Sequence, residues 1–415
     1  MNEVKLRRRV GWLLAAAIVA TLSPQVGAIS GLPDALVMPT GGMASVEVAL
    51  PLSAEVRDDE AVLAAVDHGA GEALNLTAGD SSGTAEVVFR LLGLPVKTMT
   101  VTVEPPRVLV PGGQSLGVAV QTQGLVVVGA SDLGDAPSPA HQAGIRAGDV
   151  IQCVNGAYVG TAGELSELIA ASEAETVHVE VLRDGEMLAF DVAPQTDPRD
   201  QVRRLGVWVR ESTAGIGTLT YYDPETGGYG ALGHAITDVD TGIAFPVADG
   251  AVYENEVVGV TRGEEGEPGE LMGAFFEAEN ALGSIERNTE FGVFGAAEGA
   301  LEAGSLYPDG LPVGTRSDIH TGEAQILATI GAEGVRAYDC EIEKLYDQSE
   351  PQTRSMVVHI TDPELLERTG GIVQGMSGSP IVQDGKIVGA VTHVLVSDPT
   401  RGYGVYIEWM LDAAA

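Results

Sequence analysis

The sequence predicts a mainly β protein of three consecutive modules behind an export segment, and three observations carry that reading. Short alternating apolar runs fill residues 29–104, a turn signal at Asp184-Gly185 joins two strand-sized runs, and Val202 to Ala415 repeats such runs between Gly and charged turns. At 415 residues the chain has room for two to four domains of about 100–200 residues each. A composition 45% hydrophobic and 20% charged belongs to a folded chain, not a disordered one. Acidic residues outnumber basic ones 59 to 23, and the net charge of −36 excludes a nucleic-acid partner, which needs a basic surface to neutralise phosphates.

Residues 1–28 have the three parts of a secretory signal. Lys5, Arg7, Arg8 and Arg9 precede the 13-residue apolar run Val10 to Leu22, and Val26-Gly27-Ala28 follows with small residues at alternate positions. The run is short of the roughly 20 residues that span a bilayer, which favours a cleaved signal over a permanent anchor. Residues 29–104 then alternate in short runs such as Ala44 to Leu50 and Thr98 to Val103, as in a small β-sandwich-like module, and Pro105-Pro106 ends it. This module carries no obvious chemistry.

Residues 105–198 read differently. Ser115-Leu116-Gly117-Val118 offers a glycine-containing turn, Ala143-Gly144-Ile145-Arg146-Ala147-Gly148-Asp149-Val150-Ile151 follows, and Leu165, Leu168 and Ile169 take helical spacing before a hairpin at Asp184-Gly185. This order resembles a PDZ domain of the kind attached to bacterial proteases. The resemblance makes Ser115, Leu116, Gly117 and Val118 the loop whose backbone N–H groups would receive a peptide carboxylate, with the next strand edge pairing to the peptide. Cys153 sits in an apolar strand pattern and Cys340 falls in the following module, so a disulfide between them is not favoured. No Cys/His cluster has metal-ligand spacing, and neither a metal nor another cofactor is expected.

After a linker at Asp197 to Asp200, residues 202–415 hold the richest constellation, Gln374-Gly375-Met376-Ser377-Gly378-Ser379-Pro380, with a strand pair beyond it. A serine flanked by glycine at −2 and +1 resembles the nucleophile loop of trypsin-like serine peptidases, which form a double β-barrel. Small flanks expose the Ser377 hydroxyl and aim the N–H groups of Gly375 and Ser377 at one point, where a tetrahedral oxyanion would sit. The rival Gly-x-Ser-x-Gly elbow fails, because position 379 is Ser and a hairpin follows. For the base, His234 stands upstream on what would be the first barrel, in Gly233-His234-Ala235, and His393 is the second choice. His359 alternates with apolar neighbours and reads as structural.

Three stretches sharpen this. Gly233 to Gly242, Ser284 to Gly292, and Thr361 through Ser377 to Leu411 are similar to the stage IV sporulation protein B (SpoIVB) peptidase family, which also carries an N-terminal β region and a PDZ domain. The resemblance implies an exported serine endopeptidase of sporulation signalling, acting in the space between forespore and mother cell. There it would cleave the regulator of an intramembrane metalloprotease, release late sigma-factor processing, and cut itself near the N-terminus. Its PDZ domain would govern self-association and target recognition. Ser377 becomes nucleophile and His234 base. Asp362 stands 15 residues before Ser377 and is the carboxylate the family leads one to expect, although trypsin-like folds place theirs on the first barrel. Asp240, Asp249 and a plain dyad are the alternatives. The competing reading is an exported scaffold whose PDZ domain binds peptide termini and whose peptidase fold is vestigial.

Overall fold

The computed structural model describes residue 29 and residues 32–415, apart from 49–51, 59, 69–72, 92, 276–280, 300, 302 and 349. The expected export segment over 1–28 lies outside the described residues. The chain divides into two compact units, Met1–Arg107 and Val108–Ala415.

Alternation in the first unit becomes strands β1 (Ala35–Pro39), β2 (Met43–Glu47), β3 (Leu52–Arg57), β4 (Leu63–His68), β5 (Ala73–Ala78), β6 (Gly83–Leu91) and β7 (Leu94–Glu104). They form a four-stranded sheet in the order β1-β7-β6-β3 and a three-stranded sheet in the order β2-β5-β4. Inward residues of both sheets, among them Val46, Leu74, Leu76, Phe89 and Met99, make one buried core. Side chains of successive strand residues point to opposite faces, so period-two runs like these bury one face of each sheet.

The second unit opens with β8 (Val108–Pro111) and a long strand, β9 (Ser115–Ala130). Next come α1 (Pro139–Ala143), β10 (Val150–Val154), β11 (Ala157–Tyr158), α2 (Ala162–Ala171), β12 (Val177–Arg183), β13 (Glu186–Val192), and the two-residue pair β14 (Gln195–Thr196) and β15 (Arg203–Arg204). A second long strand, β16 (Val207–Tyr222), returns antiparallel to β9 along nearly its whole length. The segment between them is the PDZ fold. The glycine-containing motif over 143–151 is tied down by Asp149, whose buried carboxylate takes the Arg183 guanidinium at 2.6 and 2.7 Å and the Arg146 N–H at 2.8 Å.

The linear layout expected from the sequence is corrected here. Strands β9 and β16 each serve two cores: Leu125, Val127, Val207 and Val209 pack with the PDZ residues Ile151 and Val179, whereas Leu116, Val118, Val120 and Leu219 pack with Tyr229 and Ala231. The PDZ fold is therefore set into the first peptidase barrel rather than placed before it, and it runs past residue 198 to the start of β16. The ladder between the two long strands breaks between Arg210 and Ser212, where one core gives way to the other.

The remaining strands are β17 (Gly228–Ala231), β18 (Val247–Glu254), β19 (Glu256–Thr261), β20 (Glu270–Ala274), β21 (Gly283–Ser284), β22 (Arg287–Thr289), β23 (Gly292–Ala296) and β24 (Leu311–Pro312). With β8, β9 and β16 they make an open half-barrel, joined along β9-β16-β17-β23-β22, while β19 and β20 form a separate hairpin. A closed six-stranded barrel follows, built from β25 (Gly322–Ala328), β26 (Arg336–Leu345), β27 (Met356–Ile360), β28 (Pro380–Gln383), β29 (Lys386–Leu395) and β30 (Asp398–Tyr406) in the order β25-β26-β27-β30-β29-β28. Helices α3 (Pro363–Thr369) and α4 (Ile407–Ala414) accompany it. Its core holds Ile326, Ile342, Val358, Ile381 and Val405, and Cys340 is buried there as a free thiol; Cys153, in β10, is also free.

Candidate active site

The loop between α3 and β28 carries Ser377. Gly378, at φ +97°, lies so close to β16 that a Cβ there would stand 2.2 Å from the Thr218 carbonyl and 2.5 Å from the Leu232 nitrogen. Only glycine lets the second barrel press its loop against the first at this point. Thr218 then fastens the two together: its N–H donates to the Ser377 carbonyl (2.9 Å) and its hydroxyl to the Gly375 carbonyl (2.8 Å). The Thr220 hydroxyl does the same for the Gly378 carbonyl at 2.8 Å.

Two N–H groups remain free beside the serine. Among the described residues, neither the Gly375 nor the Ser377 N–H has an acceptor. Their directions are nonetheless set, because a planar trans peptide ties each N–H to the carbonyl of the preceding residue. The Gln374 carbonyl accepts from Leu271 N–H at 2.9 Å, and the Met376 carbonyl from Ser379 N–H at 3.0 Å. Both donors are thus held in place before any ligand arrives.

His234 reaches the same place from the end of β17. Buried Leu232 takes an unusual φ of +67°, local strain that turns the chain out of the strand and delivers the imidazole. Asn288, within the Ser284 to Gly292 motif, clamps the following loop by bonding Ile236 N–H (2.8 Å), the Ile236 carbonyl (2.9 Å) and the Phe245 carbonyl (3.0 Å). Fully buried Asp238 closes that loop, accepting from Asp240 and Thr241 N–H and pairing with Arg210 of β16. Burial raises the Asp238 pKa, yet the Thr241 donors and the Arg210 guanidinium bring it below the ordinary carboxylate value.

The structure brings Ser377 and His234 into one patch. Ser377 Oγ donates to the Thr392 carbonyl at 2.8 Å, and the next residue, His393, sets its ring 4.9 Å from that of His234 at 39°. His234 Nδ1 lies 2.8 Å from the Ala235 carbonyl. That contact makes Nδ1 the protonated nitrogen and leaves Nε2 with its lone pair. Burial pushes the His234 pKa below its ordinary value, against the Ala235 carbonyl, which raises it. His393 is pushed to about 4 by desolvation first, then by His234 and the Arg354 guanidinium, although the residue is exposed. Both rings are neutral at pH 7.

Among the described residues, no carboxylate is hydrogen-bonded to His234 to complete a triad. Asp362 is the N-cap of α3: its carboxylate accepts from Leu365 N–H (3.0 Å) and Asp339 N–H (3.4 Å), and no hydrogen bond joins it to His234 among the described residues. Asp362, expected as the third catalytic residue, instead starts a helix, a capping acid followed by Pro363 at the first helical position. Asp240 is taken by Arg210 at 2.8 Å, and Asp249 is exposed on β18. The orienting acceptor is a backbone carbonyl, invisible to any search for acidic side chains.

The expected carboxylate loop, Ser115 to Val118, lies inside a sheet. Ser115, Leu116 and Val118 are buried in β9, which pairs with β16 on one edge and β18 on the other, so their N–H groups cannot meet a peptide. A Cβ on Gly117 would strike the Phe275 ring, and the Ser115 hydroxyl accepts from Asn255 at 2.7 Å. An open cleft of the PDZ fold lies between α2, through Leu165 and Ile169, and Leu205 and Gly206 with the β16 residues Val207 and Val209 that follow them. There Leu205-Gly206-Val207 repeats the Leu-Gly-Val of residues 116–118. The Leu205 and Gly206 carbonyls point inward, accepting from Ala140 N–H (2.9 Å) and Ser131 N–H (2.8 Å), and no described acceptor takes either residue's own N–H.

The pattern of the SpoIVB peptidase S55 family matches residues 201–411, and that of the PDZ domain matches 134–183. The chain belongs to the SpoIVB peptidase S55 family. It is accordingly a PDZ-containing serine endopeptidase. Among solved structures, the Rv3671c protease from M. tuberculosis in its active form is 15% identical, with a TM-score of 0.30 over 49% of this chain and 75% of that one. The Yersinia pseudotuberculosis adhesin InvE is 13% identical, with a TM-score of 0.14 over 51% of this chain and 71% of that one. For a SpoIVB-family chain, the residues that sequence reasoning missed are Thr218, the carbonyls of Ala235 and Thr392, and Leu205 to Val207. The repeated Leu-Gly-Val was the one available signal.

Proposed function

We propose that Ser377 and His234 form a dyad oriented by the Ala235 carbonyl, in an exported endopeptidase that acts in sporulation signalling. The convergence of the Ser377 hydroxyl, the His234 ring and the two free N–H groups of Gly375 and Ser377 carries this reading. On substrate binding, Ser377 Oγ turns from the Thr392 carbonyl to His234 Nε2 and attacks the scissile carbonyl while Nε2 takes its proton. The Gly375 and Ser377 N–H groups hold the resulting oxyanion, each worth on the order of 10²–10³ in rate. The imidazolium then gives its proton to the leaving amine, and water, deprotonated by the same nitrogen, hydrolyses the ester on Ser377.

A carbonyl in place of a carboxylate fixes the tautomer but adds no full negative charge to steady the imidazolium. The seryl hydroxyl also rests on Thr392 rather than on its base. Both features suit a protease of low constitutive activity that is switched on by its target. The signal-like pattern of residues 1–28 and the family membership support release across the cytoplasmic membrane into the space between forespore and mother cell. They also support cleavage there of the regulator of an intramembrane metalloprotease, and self-cleavage near the N-terminus. The corrected groove at Leu205 to Val209 is the candidate reader of peptide termini, on a target or on another copy of the chain.

The test is self-cleavage of the purified chain together with fluorophosphonate labelling. Ser377→Ala should lose both, since removing such a nucleophile costs on the order of 10⁶-fold in turnover. Cleavage that persists would end the assignment. Peptide binding by a wild-type chain that takes up no fluorophosphonate would favour the scaffold reading.

A further inference from the structure

Strand β16 has one occupied edge and one empty edge. Along the first it pairs with β9 from Val207 to Thr218; along the second, no strand of the described residues pairs with it before Leu219 meets β17. Thr218 shows which groups face the empty edge, because its N–H donates to the Ser377 carbonyl and its own carbonyl accepts from Leu232 N–H at 3.2 Å. Alternation along an uninterrupted ladder then turns the N–H and C=O of Ile216, Ala214 and Ser212 the same way. Ser212, Ala214 and Gly215 are exposed, and this stretch contains none of the lysines or prolines that normally guard an open edge.

Both ends of the empty edge reach a functional site. At the end of β16 beyond Ile216, Thr218 holds the Ser377 loop, and the cleft beside Thr213, Gly215 and Ile216 is closed by His234 and Ile236. Strand β17 leaves β16 at Ala231, so this cleft is where its continuation would have paired. At the start of β16 is the groove facing α2, with the unused N–H groups of Leu205 and Gly206. A terminal carboxylate held there makes its peptide run antiparallel to β16, toward Thr218.

We propose that the enzyme measures its cut from a free C-terminus. The substrate is an extended C-terminal segment whose carboxylate sits on Leu205 and Gly206, whose backbone adds to the empty edge of β16, and whose scissile bond arrives at Ser377. Antiparallel pairing along β16 from Val207 to Thr218, including its irregular steps at Trp208/Val209 and Arg210/Ser212, sets the bond about ten to twelve residues before the terminus, a span of roughly 40 Å at about 3.3 Å per residue. This rests on Ser377 as nucleophile.

The experiment uses the full chain with a random-sequence pool of 24-residue peptides ending in a free Val carboxylate, and the same pool amidated at its C-terminus. Mass spectrometry of the free-acid products should show released C-terminal fragments clustered at about ten to twelve residues, with amidation lowering their yield at least tenfold. A flat distribution of fragment lengths, equal cutting of the amidated pool, or no cutting by a protein labelled at Ser377 by fluorophosphonate would each overturn the proposal. Absence of that label would overturn the nucleophile assignment instead. Ala214→Pro, which removes an N–H from the empty edge while leaving the β9 ladder its donors, should lower the clustered yield at least tenfold at an unchanged thermal transition. An unchanged yield would count against the edge.

Discussion

Gly375→Ala, compared with Gly385→Ala, separates backbone strain from damage to the oxyanion site. Both glycines take positive φ, +95° and +73°, so an alanine at either costs about 1–2 kcal/mol of strain. They differ in what the new Cβ meets: nothing within 4 Å at Gly385, but Leu271 side-chain atoms at 3.0 to 3.3 Å at Gly375. Relief at Gly375 by rotating the Gln374–Gly375 peptide would break the bond from Leu271 N–H and swing the Gly375 N–H out of the site. Loss of one such donor costs about 10²–10³ in kcat. A domain stable by roughly 5–15 kcal/mol tolerates the strain term, so both variants should fold, with thermal transitions lowered by similar small amounts. The readouts are those transitions and kcat on a fluorogenic peptide that the parent cleaves. Gly375→Ala should fall at least a hundredfold below Gly385→Ala; a difference within threefold, at matched folding, would refute the oxyanion geometry.

A base must be neutral to accept a proton, and burial lowers the His234 pKa. The acid limb of kcat/KM should therefore lie below pH 6.5, with activity retained at pH values where an exposed histidine would already be charged. A limb above 6.5 would contradict the burial argument. His393→Ala opens the His234 ring to water, so its acid limb should move upward toward the ordinary value; abolished activity at every pH would make His393 the base instead. Asp362→Ala removes a helix cap, with a loss of about 1 kcal/mol in denaturant unfolding and a rate that follows the folded fraction. A collapse of kcat in fully folded protein would restore a catalytic role for that carboxylate.

The sequence displayed what rests on side-chain type and local period. The β modules, the glycine-flanked Ser377 and the histidine after Gly233 all declare themselves through spacing and residue size. What it concealed depends on backbone groups and long-range pairing. The acceptor for His234 is a carbonyl that every residue possesses, so nothing distinguishes Ala235 in the sequence. Asp362 stood in the expected chain order, yet its neighbour Pro363 was the better clue, since a capping acid and proline open a helix. The two Leu-Gly-Val triplets are alike as text; strand pairing alone tells them apart, because Leu116 to Val118 lie in β9, which has partners on both edges, whereas Leu205 and Gly206 lead into β16, which is paired on one. Insertion of one fold within another was hidden because β9 and β16 are each continuous while serving two cores.

That sharing changes what genetics can ask of the molecule. Excising residues 105–198 would remove β9 and with it the partner of β16 from Val207 to Thr218, so the hydroxyl of Thr218 would lose the platform from which it holds the Ser377 loop. A null phenotype from such a deletion would report a broken barrel and say nothing about peptide recognition. Point changes in the groove wall at Leu165 or Ile169, or a shorter excision between Ala130 and Arg203 bridged by a turn, leave the twin strands whole. Only lesions of that kind can show what the enzyme does when it cannot read a terminus.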